Sequence, residues 1–246
     1  MREHYTLPRL YINGPQHLEF SLTQELELDK AQAHYLGTVL RKSLGDSVRV
    51  FNGKDGEWRA DITQISRKGA RLLITKHLRP QQNSPDIWLC FAPVRKHRNA
   101  FIFEKATELG AAAFQPVMTA RTQFPKMNVA KAAAQITEAA EQTERLDIPQ
   151  TFAAKPLAEL IGGWDPSRHL IFADEAGGVA ATDKIAALRA PAAILIGPEG
   201  GFTPEERALL TAQDFVSPVS LGPRILRADT AALSLLSLWQ AHCGDW

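Results

Sequence analysis

The chain has 246 residues, 45% apolar and 22% charged, which excludes wholesale disorder and leaves room for one large domain or two modest ones. The net charge of +1 hides an asymmetry: residues 1–80 carry 13 Lys/Arg against 9 Asp/Glu, and residues 81–246 carry 15 against 18. A basic front part suits a polyanionic partner, although plain scatter of surface charge gives the same counts.

The first 80 residues read as short strands joined by tight turns. A short helix is expected from Asp29 to Leu40. Asp46–Phe51 alternates polar and apolar residues and breaks at Asn52-Gly53 and Asp55-Gly56. The alternation resumes over Glu57–Ile65, and Arg71–Thr75 offers a further strand; these are hairpin signals. A small β-barrel-like domain over 1–80 is the expectation. Residues 80–86 have linker composition and mark a boundary to a second domain over 81–246. There the rhythm changes. Strand candidates are Ile87–Ala92, Ala112–Met118, His169–Ala173, Ala192–Ile196 and Pro218–Leu221. Helices are expected over Asn99–Leu109, closed by Gly110, over Met127–Leu146 and over Asp229–His242. Strands alternating with helices predict a mostly parallel sheet, with ligands bound beyond the strands' carboxyl ends.

Cys90 and Cys243 lie far apart, so neither a disulfide framework nor a cysteine metal site is expected, and the scattered His residues give no metal pattern. Met1–Tyr5 has no apolar signal core and no run reaches membrane-spanning length, which predicts a cytoplasmic protein without a membrane partner.

Four segments can carry chemistry. In Ile194–Glu206 an apolar strand enters the loop Gly197-Pro198-Glu199-Gly200-Gly201, and a helix follows with Thr203 as N-cap, Pro204 at N1 and Glu206 closing a capping box. Such a loop can present its backbone to a cofactor, or be a plain connection; it is neither a P-loop nor a dinucleotide fingerprint. In Ser220–Ala231, Gly222-Pro223 precedes Arg224 and Arg227, two guanidiniums able to hold a phosphate or a developing anion. The helix segment Glu138–Arg145 places Glu138, Gln142 and Arg145 on one face, which also reads as a solvated surface. Arg95-Lys96-His97-Arg98 is a basic cluster at a strand end that suits RNA phosphates or a solvated loop.

Together with Glu104–Gly110, Glu141-Gln142 with Arg145, Ile196–Gly201 and Leu221–Arg227, these segments resemble the ribosomal RNA small-subunit methyltransferase E family, of the SPOUT class. Pro8–Tyr11, His34, Val39–Arg41 and Gly45-Asp46 resemble its PUA-like barrel. The sequence departs from the family's usual residues at Ala120, Leu146, Asp147 and Asp229. The resemblance implies an α/β SPOUT methyltransferase domain with a C-terminal trefoil knot, preceded by a PUA-like RNA-binding β-barrel. It implies S-adenosylmethionine as cofactor, held by Gly197, Pro198, Glu199, Gly200, Gly201, Leu221, Gly222, Ile225 and Leu226 with the loop after Ala173. The implied reaction is methylation of uridine N3 in 16S ribosomal RNA, in the small subunit, by a homodimer that needs no metal. Arg227 and Arg145 are the candidates to stabilise the uracil anion, with Arg9 of the front domain as a third, and Glu199 or Asp229 is the candidate proton acceptor. Arg9, Arg41, Lys42, Lys96 and Arg98 are the expected RNA contacts. A non-catalytic RNA-binding protein, or a SPOUT enzyme acting on another RNA or position, are the alternatives.

Overall fold

The computed structural model describes residues 4–13 and 19–246, so the reading of Met1–Glu3 lies outside the described residues. It divides into two compact units, residues 1–83 with 140–147, and residues 84–139 with 148–246. The expected boundary near residue 80 is close to the first break. The return of 140–147 to the first unit has no counterpart in composition.

The first unit is a five-stranded mixed sheet built from β1 (Arg9–Tyr11), β2 (Glu25–Leu28), β3 (Ser47–Phe51), β4 (Glu57–Ser66) and β5 (Gly69–Arg79), in the order β1-β3-β4-β5-β2. Only the β1–β3 pairing is parallel. Between β3 and β4, Asn52 Oδ1 accepts the N–H groups of Lys54 and Asp55, and Gly53 and Gly56 take positive φ, as the Asn-Gly and Asp-Gly pairs predict. Helix α1 (Lys30–His34) is N-capped by Asp29, whose carboxylate accepts the Gln32 N–H at 2.8 Å; it continues as a π turn over Tyr35–Val39. Leu10, Leu26, Leu36, Val48, Val50, Ile62, Leu72 and Ile74 make the core. The strand at 25–28 was not among the expected elements, although its Glu-Leu-Glu-Leu alternation matches its exposed–buried pattern.

A buried ion cluster ties 140–147 to this sheet. The Arg9 guanidinium donates to Glu57 Oε1 at 2.6 Å and to the carbonyls of Ala140, Glu141 and Arg145 at 2.9, 2.8 and 2.6 Å. Arg49 is bidentate on Glu144 at 2.7 and 2.8 Å, and Arg79 bonds both Glu57 and Glu144. Glu144 adopts φ +65°, the helix ends at Gln142 rather than at Leu146, and the Arg9 N–H groups satisfy the carbonyls of Ala140 and Glu141 that this end leaves free.

In the second unit a parallel sheet runs β11-β13-β10-β12-β6-β7-β8. Its members are β6 (Ile87–Phe91), β7 (Ala113–Met118), β8 (Gln150–Thr151), β9 (Lys155–Pro156, on β7), β10 (His169–Ala173), β11 (Val179–Ala180), β12 (Ala192–Ile196) and β13 (Val216–Ser220). The helices are α2 (Lys96–Glu108), α3 (Val129–Gln142, its last three residues in the first unit), α4 (Leu157–Gly162), α5 (Ala181–Ala186), α6 (Pro204–Thr211) and α7 (Ala228–Cys243). Both sheet faces are covered. One core joins β6 and β12 to α2, α5 and α7 through Phe91, Phe103, Ile185, Ile194, Leu235 and Trp239. The other joins Cys90, Phe172 and Leu195 to α4 and α6. Strands buried on both faces read as continuous apolar runs, as Ala192–Ile196 does. Burial pushes the Cys90 thiol up to about 12, consistent with an inert core thiol. Short α4 and α5 had no strong periodic signal and were not expected. Among the described residues no helix is long and apolar enough to cross a membrane.

Candidate functional site

β10, β12 and β13 are adjacent and parallel, so their three carboxyl-end loops emerge side by side. They enclose a cavity of about 250 Å³ lined by Ala173–Ala176, Ile196–Glu199, Gly201, Phe202, Arg207, Val219–Leu226, Ala228 and Ala231. This is where an open parallel sheet binds ligands.

Each loop is set by local chemistry. After β12, Thr203 caps α6: its Oγ1 accepts the Glu206 N–H at 3.2 Å, and Glu206 Oε2 accepts the Thr203 N–H at 3.0 Å, the predicted capping box with Pro204 in the first turn. The Gly201 N–H closes a turn onto the Pro198 carbonyl at 2.9 Å. Gly197 has no room for a side chain, because a Cβ would stand 2.6 Å from the Phe202 ring, which packs edge-on against Phe172. Gly201, at φ +67°, lies directly against the Glu175 carboxylate. After β10, the Asp174 carboxylate is almost fully buried, is paired with Arg207 Nε at 2.8 Å and accepts the Ala176 N–H. After β13, Gly222 takes φ +99° and its N–H donates to Ser220 Oγ. The walls are apolar at Ile196, Val219, Leu221, Leu226 and Ala231. Glu175 and Glu199 supply negative charge, Arg224 positive charge, and Ile225 stands 89% exposed on the rim. Such a lining suits a small organic ligand with an apolar body and both charges.

Of the residues expected to hold a cofactor, Gly197, Pro198, Glu199, Gly201, Leu221, Gly222, Ile225 and Leu226 line the cavity together. Gly200 does not: it lies against the Arg121 side chain, and its carbonyl accepts from Arg121 Nη1 at 2.7 Å. Arg227 also falls outside the lining. It is the exposed N-cap of α7, whereas Arg224, from the same loop, lines the cavity together with Arg207. Arg145 belongs to the first unit, where its side chain is buried and bidentate on Asp147 at 3.2 and 2.9 Å. Arg9 departs furthest from expectation: it is buried in the ion cluster with its N–H groups spent on protein acceptors, which removes it from any RNA-facing surface. Burial pulls its guanidinium below the ordinary value, against Glu57 and Glu144. Arg98 is partly buried and paired with Asp229 at 2.7 Å. Arg41 and Lys96 are exposed, and Lys42 is half-buried. Sequence reasoning named the loop after Ala173, which holds Asp174 and Glu175, without singling out either residue, and it gave no role to Arg207 or Phe202. Among the described residues no group of three or more His, Cys, Asp or Glu is placed to hold a metal ion.

Residues 81–240 match a family described as an RNA methyltransferase domain, and residues 28–75 one described as an RNA methyltransferase PUA domain. The ribosomal RNA small subunit methyltransferase E of Rickettsia conorii is 30% identical over 96% of this chain and 98% of its own; that of Synechocystis is 37% identical over 91% and 74%. Among solved structures, a ribosomal RNA small subunit methyltransferase E from Neisseria gonorrhoeae bound to S-adenosyl methionine superposes with a TM-score of 0.85 at 26% identity, covering 98% of this chain and 99% of that one. A Legionella pneumophila protein solved with the bound cofactor SAM gives 0.85 at 32%, with the same coverage.

Proposed function

The chain belongs to the ribosomal RNA small subunit methyltransferase E family, and from that premise we propose that it methylates N3 of a uridine in 16S ribosomal RNA, using S-adenosylmethionine held in the three-loop cavity. That cavity carries the reading. Its residues fit the cofactor: apolar walls for the adenosine, Glu175 and Glu199 for the sulfonium and ammonium charges, and Arg224 for the carboxylate. Gly222 has no atom within 4 Å of where a Cβ would stand, which leaves its backbone open to a close ligand. The bound cofactor supplies an activated methyl group, so the protein's contribution is positioning and electrostatics. Uracil N3 is protonated and a poor nucleophile, and it lies on the pairing edge, so the base must be unpaired and its proton removed. Asp229 is occupied by Arg98 and the Thr230 N–H, which leaves Glu199 as the better proton acceptor of the two candidates. Arg227 is exposed beside the cavity loop and suits the anionic charge that develops on the base. The first unit, with exposed Arg41 and neighbouring Lys42, acts as the RNA-gripping module, and the enzyme works as a homodimer. The family reading also gives this domain a C-terminal trefoil knot, a reading supported by the strand order, in which β13 lies beyond β10 from β12, and by the packing of α7 on α2 and α5.

The test is methyl transfer from labelled S-adenosylmethionine to purified small subunits, naked 16S RNA and a short oligomer, followed by nucleoside analysis. 3-Methyluridine formed fastest on the small subunits is the expected result, because a structured target brings distant phosphates and a preformed exposed base. A different methylated nucleoside would move the enzyme to another position, and absence of both cofactor binding and transfer would leave a non-catalytic RNA-binding protein.

A further inference from the structure

Outside the cavity, two loops at the carboxyl end of the parallel sheet are stapled together. The segment after β7 turns at Thr119–Thr122, where Thr122 Oγ1 accepts the Thr119 N–H at 2.9 Å. From this turn Arg121 Nη1 donates to the carbonyls of Gly200 at 2.7 Å and Phe202 at 3.4 Å. Beside it, the Ala120 N–H donates to Glu206 Oε1 at 2.7 Å, while the other oxygen of that carboxylate holds the Thr203 N–H. The bond at residue 120 is made by backbone, so it does not depend on the Ala120 side chain. The Gly200–Gly201 peptide unit is thereby held at both ends: its carbonyl by Arg121, and its N–H by the Pro198 carbonyl at 2.9 Å. A peptide unit gripped on both sides cannot flip, and Gly201 keeps the positive φ that lays it along the cavity wall.

Three glycines in five residues give the 197–201 segment many conformations. Unless something else orders it, the entropy of ordering falls on ligand binding. We infer that Arg121 is a positioning residue that presets this loop for the cofactor. It stands outside the cavity lining and is exposed, so its loss removes no core packing. The inference rests on the reading of the cavity as the S-adenosylmethionine site. The experiment uses the full chain with Arg121→Ala and Arg121→Lys, measuring S-adenosylmethionine binding by calorimetry and methyl transfer to small subunits. Arg121→Ala should raise Kd and the cofactor KM together by about 10-fold, the weak end of what a charge-assisted hydrogen bond contributes. At saturating cofactor kcat should stay within about twofold and the melting temperature should be unchanged, because only the preset of the loop is lost. Arg121→Lys should recover much of the affinity by keeping one cationic donor. A Kd unchanged in Arg121→Ala overturns the inference. So does a fall in kcat at constant Kd, which would put Arg121 on the RNA or the reacting base. Failure of the unaltered protein to bind S-adenosylmethionine overturns the cavity reading itself, and the inference with it.

Discussion

Replacing Glu57 by Gln probes the ion cluster that joins residues 140–147 to the first unit. Glu57 has only 4% of its side chain exposed and faces three guanidiniums: Arg9 at 2.6 Å, Arg79 at 3.0 Å and Arg49 at 3.5 Å. Glu144 is the other carboxylate of the cluster. The substitution therefore changes three cations against two anions into three against one, with Arg9 and Arg49 still almost fully buried. Leaving a buried charge without its partner costs about 3–5 kcal/mol. Arg79 is a quarter exposed and Gln still accepts a hydrogen bond, so a loss of about 3 kcal/mol is expected, a large share of the roughly 5–15 kcal/mol that holds a domain together. Hydrogen exchange on the intact chain, read on peptides from β1, β4 and 140–147, measures this locally without assuming that both units unfold together. Burial pushes the Glu57 carboxyl up, but hydrogen bonds and charge from Arg79 and Arg9 outweigh it and hold it below the ordinary value of 4.5. A depressed folded value means the contribution is complete at neutral pH and is lost as pH falls from about 4.5 through that folded value, so variant and parent should converge there. A destabilisation under about 1 kcal/mol at pH 7, or a gap that widens on acidification, would refute the reasoning.

Other outcomes follow from the same geometry. Gly201→Ala should cost at least 10-fold in S-adenosylmethionine affinity by calorimetry, since φ is +67° and the methyl collides with Glu175; Gly200→Ala, whose Cβ meets Arg121 at an ordinary 3.4 Å, should cost less than about threefold. Arg41→Ala with Lys42→Ala should weaken binding to small subunits and flatten its salt dependence by about two counterions with unchanged melting, measured by filter binding across salt concentrations. Arg227→Ala should lower kcat by about 10-fold or more at an unchanged cofactor KM in steady-state assays, whereas Arg9→Ala should act through stability instead.

Much of the second unit was legible because its signals are local. Ala192–Ile196 is an unbroken apolar run that only a two-sided core can bury, and the Thr203–Glu206 cap appears in the structure residue for residue. The family motifs pointed to two of the three cavity loops and, through the strand at 169–173, to the third. Local pattern also marked the turns at Asn52-Gly53 and Asp55-Gly56, where positive φ is a property of the residues themselves.

What the pattern could not carry is where a long polar side chain ends up. Arg9 reads as a surface cation in any window, and only the arrival of 140–147 surrounds it with carbonyls and Glu57, converting a presumed RNA contact into a buried clamp. Arg145 is likewise paired with Asp147, and the helix expected to reach Leu146 stops at Gln142, where Glu144 turns to positive φ and Arg9 satisfies the freed carbonyls of Ala140 and Glu141. Gly200 and Gly201 are indistinguishable in sequence, yet one turns to Arg121 and the other to the cavity, a difference made by contacts with residues about 80 and 26 positions away. By itself the sequence determined the longer strands and helices with their caps and turns, which depend on neighbours a few residues apart, but not the short elements such as α4 and α5. The ownership of each charge and the facing of each glycine were decided only by the tertiary structure, because they depend on partners that folding brings together from distant parts of the chain.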